Sequence, residues 1–134
     1  MTTILAIDTA LESCSAAVTE GERVLAARSE PMARGHQERL ATLVRDLLAE
    51  AGVASRDLDR IAVTVGPGSF TGVRVGLAFA KGLGLALKRP VVGVGTLEAM
   101  AATVGAQARV VAAIDARREQ IYLQGFHDGR ASFA

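Results

Sequence analysis

The sequence has no tryptophan, a single cysteine, two histidines and only 4% aromatic residues. With Cys14 alone, no internal disulfide and no zinc site built on several thiolates is available. Its position among small and β-branched neighbours reads as a buried strand residue. His36 and His127 lie far apart in sequence, without the one-turn spacing that puts two imidazoles on one helix face. His36 reads as a solvated polar residue at a helix start. Neither H-E-x-x-H nor G-x-S-x-G occurs, and Ser69 has no histidine near it in sequence, so peptidase chemistry finds no support. An excess of charge of one sign is also missing. Lys and Arg total 15 against 14 Asp and Glu, a net charge of +1, which gives little sequence-independent attraction for nucleic acid. The arginines suit bidentate contacts but look scattered rather than striped. The opening MTTILAIDTA lacks a basic segment and reaches Asp8 quickly, unlike a secretory signal. The apolar run at residues 72–87 is broken by Arg74 and Lys81, which argues against a membrane span. A soluble, cytoplasmic protein is the expectation.

What is present is aliphatic and small. Half of the 134 residues are hydrophobic, enough for the core of one domain. The apolar run at residues 3–7, ending in Asp8, predicts a strand buried on both faces. Residues 14–19 and 23–29, parted by Glu20-Gly21, complete a three-stranded antiparallel meander. Residues 35–51 predict a helix, since Leu40, Leu43, Val44, Leu47, Leu48 and Ala51 fall on one stripe, with Gly52 as its C-terminal stop. Strands follow at 60–65 and 90–94, each reached by a helical crossover and therefore expected to be parallel. Thr96 is the expected cap of a last helix over about 97–104. The order is β-β-β-α-β-α-β-α. Residues 109–115 and 120–126 then form a hairpin. The run VAAID at 111–115 echoes ILAID at 4–8, so a second copy of the first domain is expected to start near residue 107. A lone hairpin is marginal in water, so either the chain is a C-terminally shortened form of a longer protein or the hairpin packs on the first domain.

The stretch VGPGSFTGVRVGLAFAKGLGLAL at 65–87 follows a strand and opens a helix, the setting in which backbone N–H groups hold phosphate. Its spacing fits neither G-x-x-x-x-G-K-[ST] nor G-x-G-x-x-G, because no lysine follows Thr71 and the third glycine comes one residue late, at Gly72. No acidic residue ends the next strand. A sharp turn with Ser69 as N-cap is the simpler reading. Within the helix, Gly72, Gly76, Ala80 and Gly84 recur every four residues. Each interior glycine costs about 1 kcal/mol relative to alanine. A ridge of them needs the close approach of another backbone as compensation. Val73, Leu77, Leu83 and Leu87 lie opposite, with Phe70 at the start. One face can rest on the chain's own sheet, while the other needs the 35–51 helix or another chain.

GPGSFTGVRVGL after IAVTV, together with AIDTA, GHQERL, PVVGVGTLEAM and AIDARREQIY, resembles the TsaB (YeaZ) family of bacterial tRNA threonylcarbamoyladenosine biosynthesis proteins. The resemblance covers the whole chain, and members are normally longer. It implies an α/β actin/Hsp70-like ATPase (ribonuclease H-like) fold, with a first domain at 1–106 and the start of a second at 107–134. It further implies a non-catalytic subunit that pairs with its paralogue TsaD, which transfers threonylcarbamoyl to adenosine 37 of tRNAs reading codons that begin with A. The ATPase TsaE joins them, and TsaC supplies the activated group. ATP and metal would belong to those partners, and tRNA would be met only through the complex. TsaD-like proteins carry a His-x-x-x-His metal site where Thr96 and Met100 stand here. Asp8 and Asp115 occupy positions where related ATPases hold metal-nucleotide, but their turns, TALE and ARRE, are bulkier than a glycine-rich hairpin, and a strand-end turn role is the simpler one. The helices at 35–51 and 69–87 would form the face that docks on TsaD, or on a second copy when the chain is alone. Candidate contacts are Leu40, Leu43 and Leu47 on the first helix. On the second they are Phe70, Val73, Leu77 and Leu83, with Gly72, Gly76 and Ala80 on the ridge. A nucleotide-binding phosphotransferase of the same superfold and a glycoprotease-like peptidase remain the alternative readings.

Overall fold

The structure, a computed structural model, describes residues 1–31, 36–104, 109–117, 120–127 and 130–133. Three strands open the chain: β1 (Thr3–Asp8), β2 (Ser13–Glu20) and β3 (Arg23–Pro31). Helix α1 (His36–Ala51) follows; Gly35, its expected first residue, lies outside the described residues. A short 3-10 turn at Ser55–Asp57 leads to β4 (Arg60–Thr64), α2 (Phe70–Leu87), β5 (Val91–Val94) and α3 (Thr96–Ala102). The five strands form one sheet in the order β3-β2-β1-β4-β5. β2 is antiparallel to both β1 and β3, whereas β1, β4 and β5 run parallel, as the helical crossovers require.

One face of this sheet carries the core. Leu5 pairs with Val18 on one side and Ile61 on the other, and Ile7 lies between Ala16 and Val63. All six are at most 5% exposed. The stripe of α1 closes over them, with Leu40, Leu43 and Leu47 wholly buried. The expectation that β1 is buried on both faces holds for only one. Thr3, Leu5 and Ile7 are buried, while Ile4, Ala6 and Asp8 on the other face are half-buried. Cys14 is in the core as expected, and burial pushes its thiol up from the ordinary value, with the nearby Glu30 carboxylate adding to the effect. Gly52, at φ 71°, ends α1 in the left-handed conformation that glycine adopts without cost.

The glycine ridge of α2 faces inward. A Cβ on Gly72 would land on the Thr9 carbonyl oxygen, one on Gly76 would lie 2.5 Å from Thr9 Oγ1, and one on Gly84 would lie 2.5 Å from Val91 Cγ2. Ala80 is fully buried against the same sheet. The approach is close enough for the Thr9 hydroxyl to donate to the Gly72 carbonyl at 2.6 Å. Gly82 is different, because a Cβ there would meet nothing within 4 Å.

β6 (Arg109–Arg117) and β7 (Gln120–His127) form the expected hairpin, and a further strand, β8 (Arg130–Phe133), makes it a three-stranded antiparallel sheet. α3 packs on it, with Leu97 and Ala101 against Ala112 and Phe126. Thr96 is not the cap of α3. Gly95 takes that position, and the Thr96 hydroxyl is buried without a hydrogen-bond partner among the described residues.

Arg39 on α1 forks onto Glu30 of β3, with Nε–Oε2 at 2.8 Å and Nη2–Oε1 at 2.7 Å. This bond holds the Glu30 carboxyl below its ordinary value of 4.5. Its stabilisation is therefore present above the unfolded value and lost as pH falls through the lower folded one. Glu30→Gln is expected to lower the urea midpoint at pH 6, with the gap to wild type shrinking as the pH drops below 4. The ridge gives an internal comparison of glycines. Gly76→Ala is expected to destabilise by about 1–3 kcal/mol through overpacking. Gly82→Ala on the same helix should stabilise by up to about 1 kcal/mol. Urea unfolding of both variants checks the contrast.

Candidate functional site

Turning the glycines of α2 inward fixes what the helix shows outward. Of the ten residues expected at a partner surface, six lie in the chain's own interior: Leu40, Leu43, Leu47, Gly72, Gly76 and Ala80. The α1 leucines cover β2 and β3, and the small α2 residues rest on Thr9, Val63 and neighbouring strand residues. These six set the height and angle of the two helices and are not themselves a contact surface. Leu77 and Leu83 are half-buried against the same core, and Val73 is half-buried at its margin. Only Phe70, 75% exposed, points fully outward.

The outward face of α2 contains residues that the ridge spacing did not bring out. Leu85 is 82% exposed, and Arg74, Ala78, Lys81 and Gly82 are exposed with it. Their signal was in the helical period. Arg74 and Lys81 are seven residues apart and mark the solvent side, so Phe70, Ala78 and Leu85, each four residues from one of them, must flank that side. The Arg74 guanidinium carbon sits 4.8 Å from the centre of the Phe70 ring, a cation–π contact. Between α1 and α2 lies an open groove of about 600 Å³, lined by Leu40 at its floor and by Phe70, Arg74, Val75, Ala78 and Phe79. This face joins an exposed aromatic, an exposed leucine and small residues through which another backbone can come close. Such a surface suits protein docking.

The loop before α2 is engaged internally. Ser69 N–H donates to the Ala10 carbonyl at 2.6 Å. The Ser69 side chain accepts from Gly72 N–H at 3.1 Å, the N-cap expected from the sequence. A Cβ at Gly68 would overlap Ala10. The glycines thus let this loop press on the turn after β1. Asp8 serves that turn too, accepting from Ala10 N–H at 3.0 Å and from the Thr64 hydroxyl at 2.8 Å. A cleft of about 630 Å³ opens beyond it, between residues 10–12, the start of α2, and Ile114, Asp115 and Tyr122 of the second sheet. Thr96 and Met100, which the resemblance sets against a metal-binding histidine pair, offer no set of ligands for a metal. Thr96 is wholly buried, and the Met100 side chain packs among the apolar residues of α3 and β6. Among the described residues there is no group of three or more His, Cys, Asp or Glu able to hold a metal ion.

By length and mean hydropathy, 1.3, α2 would also qualify to cross a membrane. Its inward ridge is instead fitted to the sheet.

The family profile described as "TsaD: tRNA N6-adenosine threonylcarbamoyltransferase" matches residues 28–131. The TsaB protein of Escherichia coli is 43% identical over 122 residues, covering 89% of this chain and 52% of that one. The TsaB protein of Bacillus subtilis is 38% identical over 121 residues, covering 90% of this chain and 53% of its own. The solved structure of YeaZ from Pseudomonas aeruginosa superposes with a TM-score of 0.85 at 43% identity, over all of this chain and 65% of that one. The chain thus spans about half the length of these two curated relatives. A sugar kinase, ROK hexokinase from Thermus thermophilus, shares the fold at 21% identity, with a TM-score of 0.61 over 98% of this chain and 49% of that one. These likenesses bear out the actin-like, ribonuclease H-like architecture.

The outward residues are expected to be dispensable for folding and the inward ones not. Phe70→Ser combined with Leu85→Ser should leave the unfolding free energy within about 0.5 kcal/mol of wild type per site. Leu43→Ala should cost about 2–5 kcal/mol. Denaturant titration measures both.

Proposed function

The chain belongs to the TsaD family of tRNA N6-adenosine threonylcarbamoyltransferase sequences, where it matches TsaB (YeaZ) proteins, and on that premise we propose that it is a non-catalytic subunit of threonylcarbamoyladenosine formation. Its work is to bind and support the catalytic paralogue TsaD, with TsaE joining the assembly. Adenosine 37 of tRNAs reading codons that begin with A is modified by the complex in the cytoplasm. The observation that carries this reading is the pairing of an unpartnered docking face on α2 with a spent chemical apparatus. Phe70 and Leu85 are presented to solvent. Meanwhile Thr96 and Met100 stand where the resemblance sets a metal-binding pair, Thr96 wholly buried and Met100 half-buried against apolar neighbours. The net charge of +1 also leaves phosphate binding to the larger assembly.

Residues 1–106 form the first actin-like domain in this reading, and residues 107–134 begin a second copy. The interface expected from the sequence is redrawn accordingly. The α1 leucines and the glycine ridge support it from below, while Phe70, Leu85 and the margin at Val73 make contact. Substitutions such as Gly76→Leu or Ala80→Leu would disturb the chain's own packing before they reached a partner.

The test is reconstitution. The purified chain is expected to form no threonylcarbamoyladenosine from tRNA, threonine, bicarbonate and ATP, as measured by nucleoside mass spectrometry. Mixed with TsaD it should give a stable complex by light scattering. Modification of tRNA by the chain alone, or failure of the folded chain to bind TsaD, would remove the proposal.

A further inference from the structure

Along α2 the charged residues are all of one sign. Arg74, Lys81 and the C-cap Lys88 recur every seven residues, and the segment from Phe70 to Lys88 contains no Asp or Glu. Seven residues advance an α-helix by two turns less about 20°, so Arg74 and Lys81 lie on one narrow line, with Lys88 just past the helix end in the left-handed conformation. All three are exposed. Among the described residues none of them forms an ion pair; the pairs that do occur are Arg28–Glu50, Arg39–Glu30 and Arg45–Asp46.

Within the helix, Arg74 is engaged with the Phe70 ring and Lys88 suits the C-terminal end, but Lys81 has no acidic neighbour along α2. A cation in the second turn, such as Arg74, lies near the positive end of the helix dipole, where an acidic residue would be favourable. The line runs through the same face as the exposed Phe70, Ala78 and Leu85. Beside it, Gly82 has open space where a Cβ would be, a cost to the helix that no close approach among the described residues calls for.

We propose that the Arg74–Lys81 line, with Lys88 beyond its end, makes α2 selective for an acidic partner helix, one whose apolar ridge meets Phe70, Ala78 and Leu85 and whose carboxylates lie opposite Arg74 and Lys81. The inference rests on the reading of this face as the docking surface and adds what the surface selects. Complementary charge along a helix pair sets partner choice and orientation, as at the flanking positions of coiled coils. It also works against the wrong partner. A second copy laid α2 against α2 around a twofold axis brings like charges together. RNA phosphates are a poorer match, because the cations are separated by two helical turns and interleaved with exposed apolar side chains that a phosphate backbone leaves uncovered.

The experiment measures complex formation between the full chain and TsaD by titration calorimetry over a range of salt concentrations. Four variants are compared, each first shown to fold by urea unfolding. Wild-type binding should weaken as salt rises. R74E/K81E should weaken binding by roughly tenfold or more at low salt and flatten the salt dependence. R109E/R130E, the same charge change on exposed residues of the second sheet, should stay within about twofold of wild type. F70S/L85S should weaken binding at every salt concentration. If F70S/L85S weakens the complex while R74E/K81E matches wild type at all salts, the charge inference falls and the docking surface stands. If neither weakens it, the docking reading falls too. If R74E/K81E leaves TsaD binding alone but lowers the affinity of the chain for an unmodified tRNA transcript, the line serves RNA and the proposal is overturned.

Discussion

The approach of α2 to the turn after β1 sets the geometry of much else. Gly72 and Gly76 bring the helix backbone into contact with Thr9, where even a methyl group has no room. A hydroxyl-to-carbonyl bond from Thr9 to Gly72 fixes the helix along its length. Ser69, capped on Gly72 N–H and bonded to Ala10, fixes where it begins. In an α-helix the direction of one face dictates the direction of every other. Once the small residues are held against the sheet, Arg74, Lys81 and Leu85 have to face solvent. The outward surface is thus a consequence of the inward one. A substitution that lifts the ridge would tilt the surface without touching any residue on it.

That same contact explains why a loop resembling a phosphate cradle is not fitted as one. Glycines permit backbone to come close to whatever lies next to them. Here the neighbour is the chain itself: Gly68 meets Ala10, and the Ser69 N–H is committed to the Ala10 carbonyl. Asp8, at the end of β1, is likewise tied to Ala10 and Thr64. The positions that a related fold could use for chemistry form a joint between β1, β4 and α2. A fold does not carry its chemistry with it; the site residues do.

How far the sequence could be read depended on the kind of signal. Hydrophobic periodicity located α1 and the strands β1 to β7 to within a few residues, because burying an apolar stripe is what made those segments regular. The four-residue spacing of Gly72, Gly76, Ala80 and Gly84 announced a close approach, but spacing has no sign, and nothing in it says whether sheet or partner lies opposite. The decisive fact was long-range: Thr9, more than sixty residues earlier in the chain, sits under Gly72. β8 escaped notice because RASF is short, polar at its start and without alternation. Thr96 looked like a cap by residue type. Gly95 took the position, and Thr96 was drawn inside, its hydroxyl without a partner among the described residues. Each miss came from tertiary packing overriding a local preference.

The third strand, β8, bears on the internal repeat. With only a hairpin after residue 109, the likeness of VAAID to ILAID rested on five residues. With β8 in place, the second sheet is a three-stranded antiparallel meander like the β1–β3 part of the first, and each opens on an apolar run that reaches an aspartate. The sides they offer differ. The first meander is covered by α1 through Leu40, Leu43 and Leu47, whereas among the described residues the second is met by α3, through Leu97 and Ala101. α3 follows β5 in the chain yet finds its apolar contacts on β6 and β7. It therefore couples the two sheets, so that strain at the end of β5 would be felt in the second meander. In this arrangement the pairing of Thr96 N–H with the Gly66 carbonyl ties the start of α3 to the loop ahead of α2. The glycine loop is then the common anchor of two helices: α2, whose outer face is free for a partner, and α3, whose inner face holds the second sheet. A partner pressing on α2 acts on a body whose two sheets are already joined at that loop.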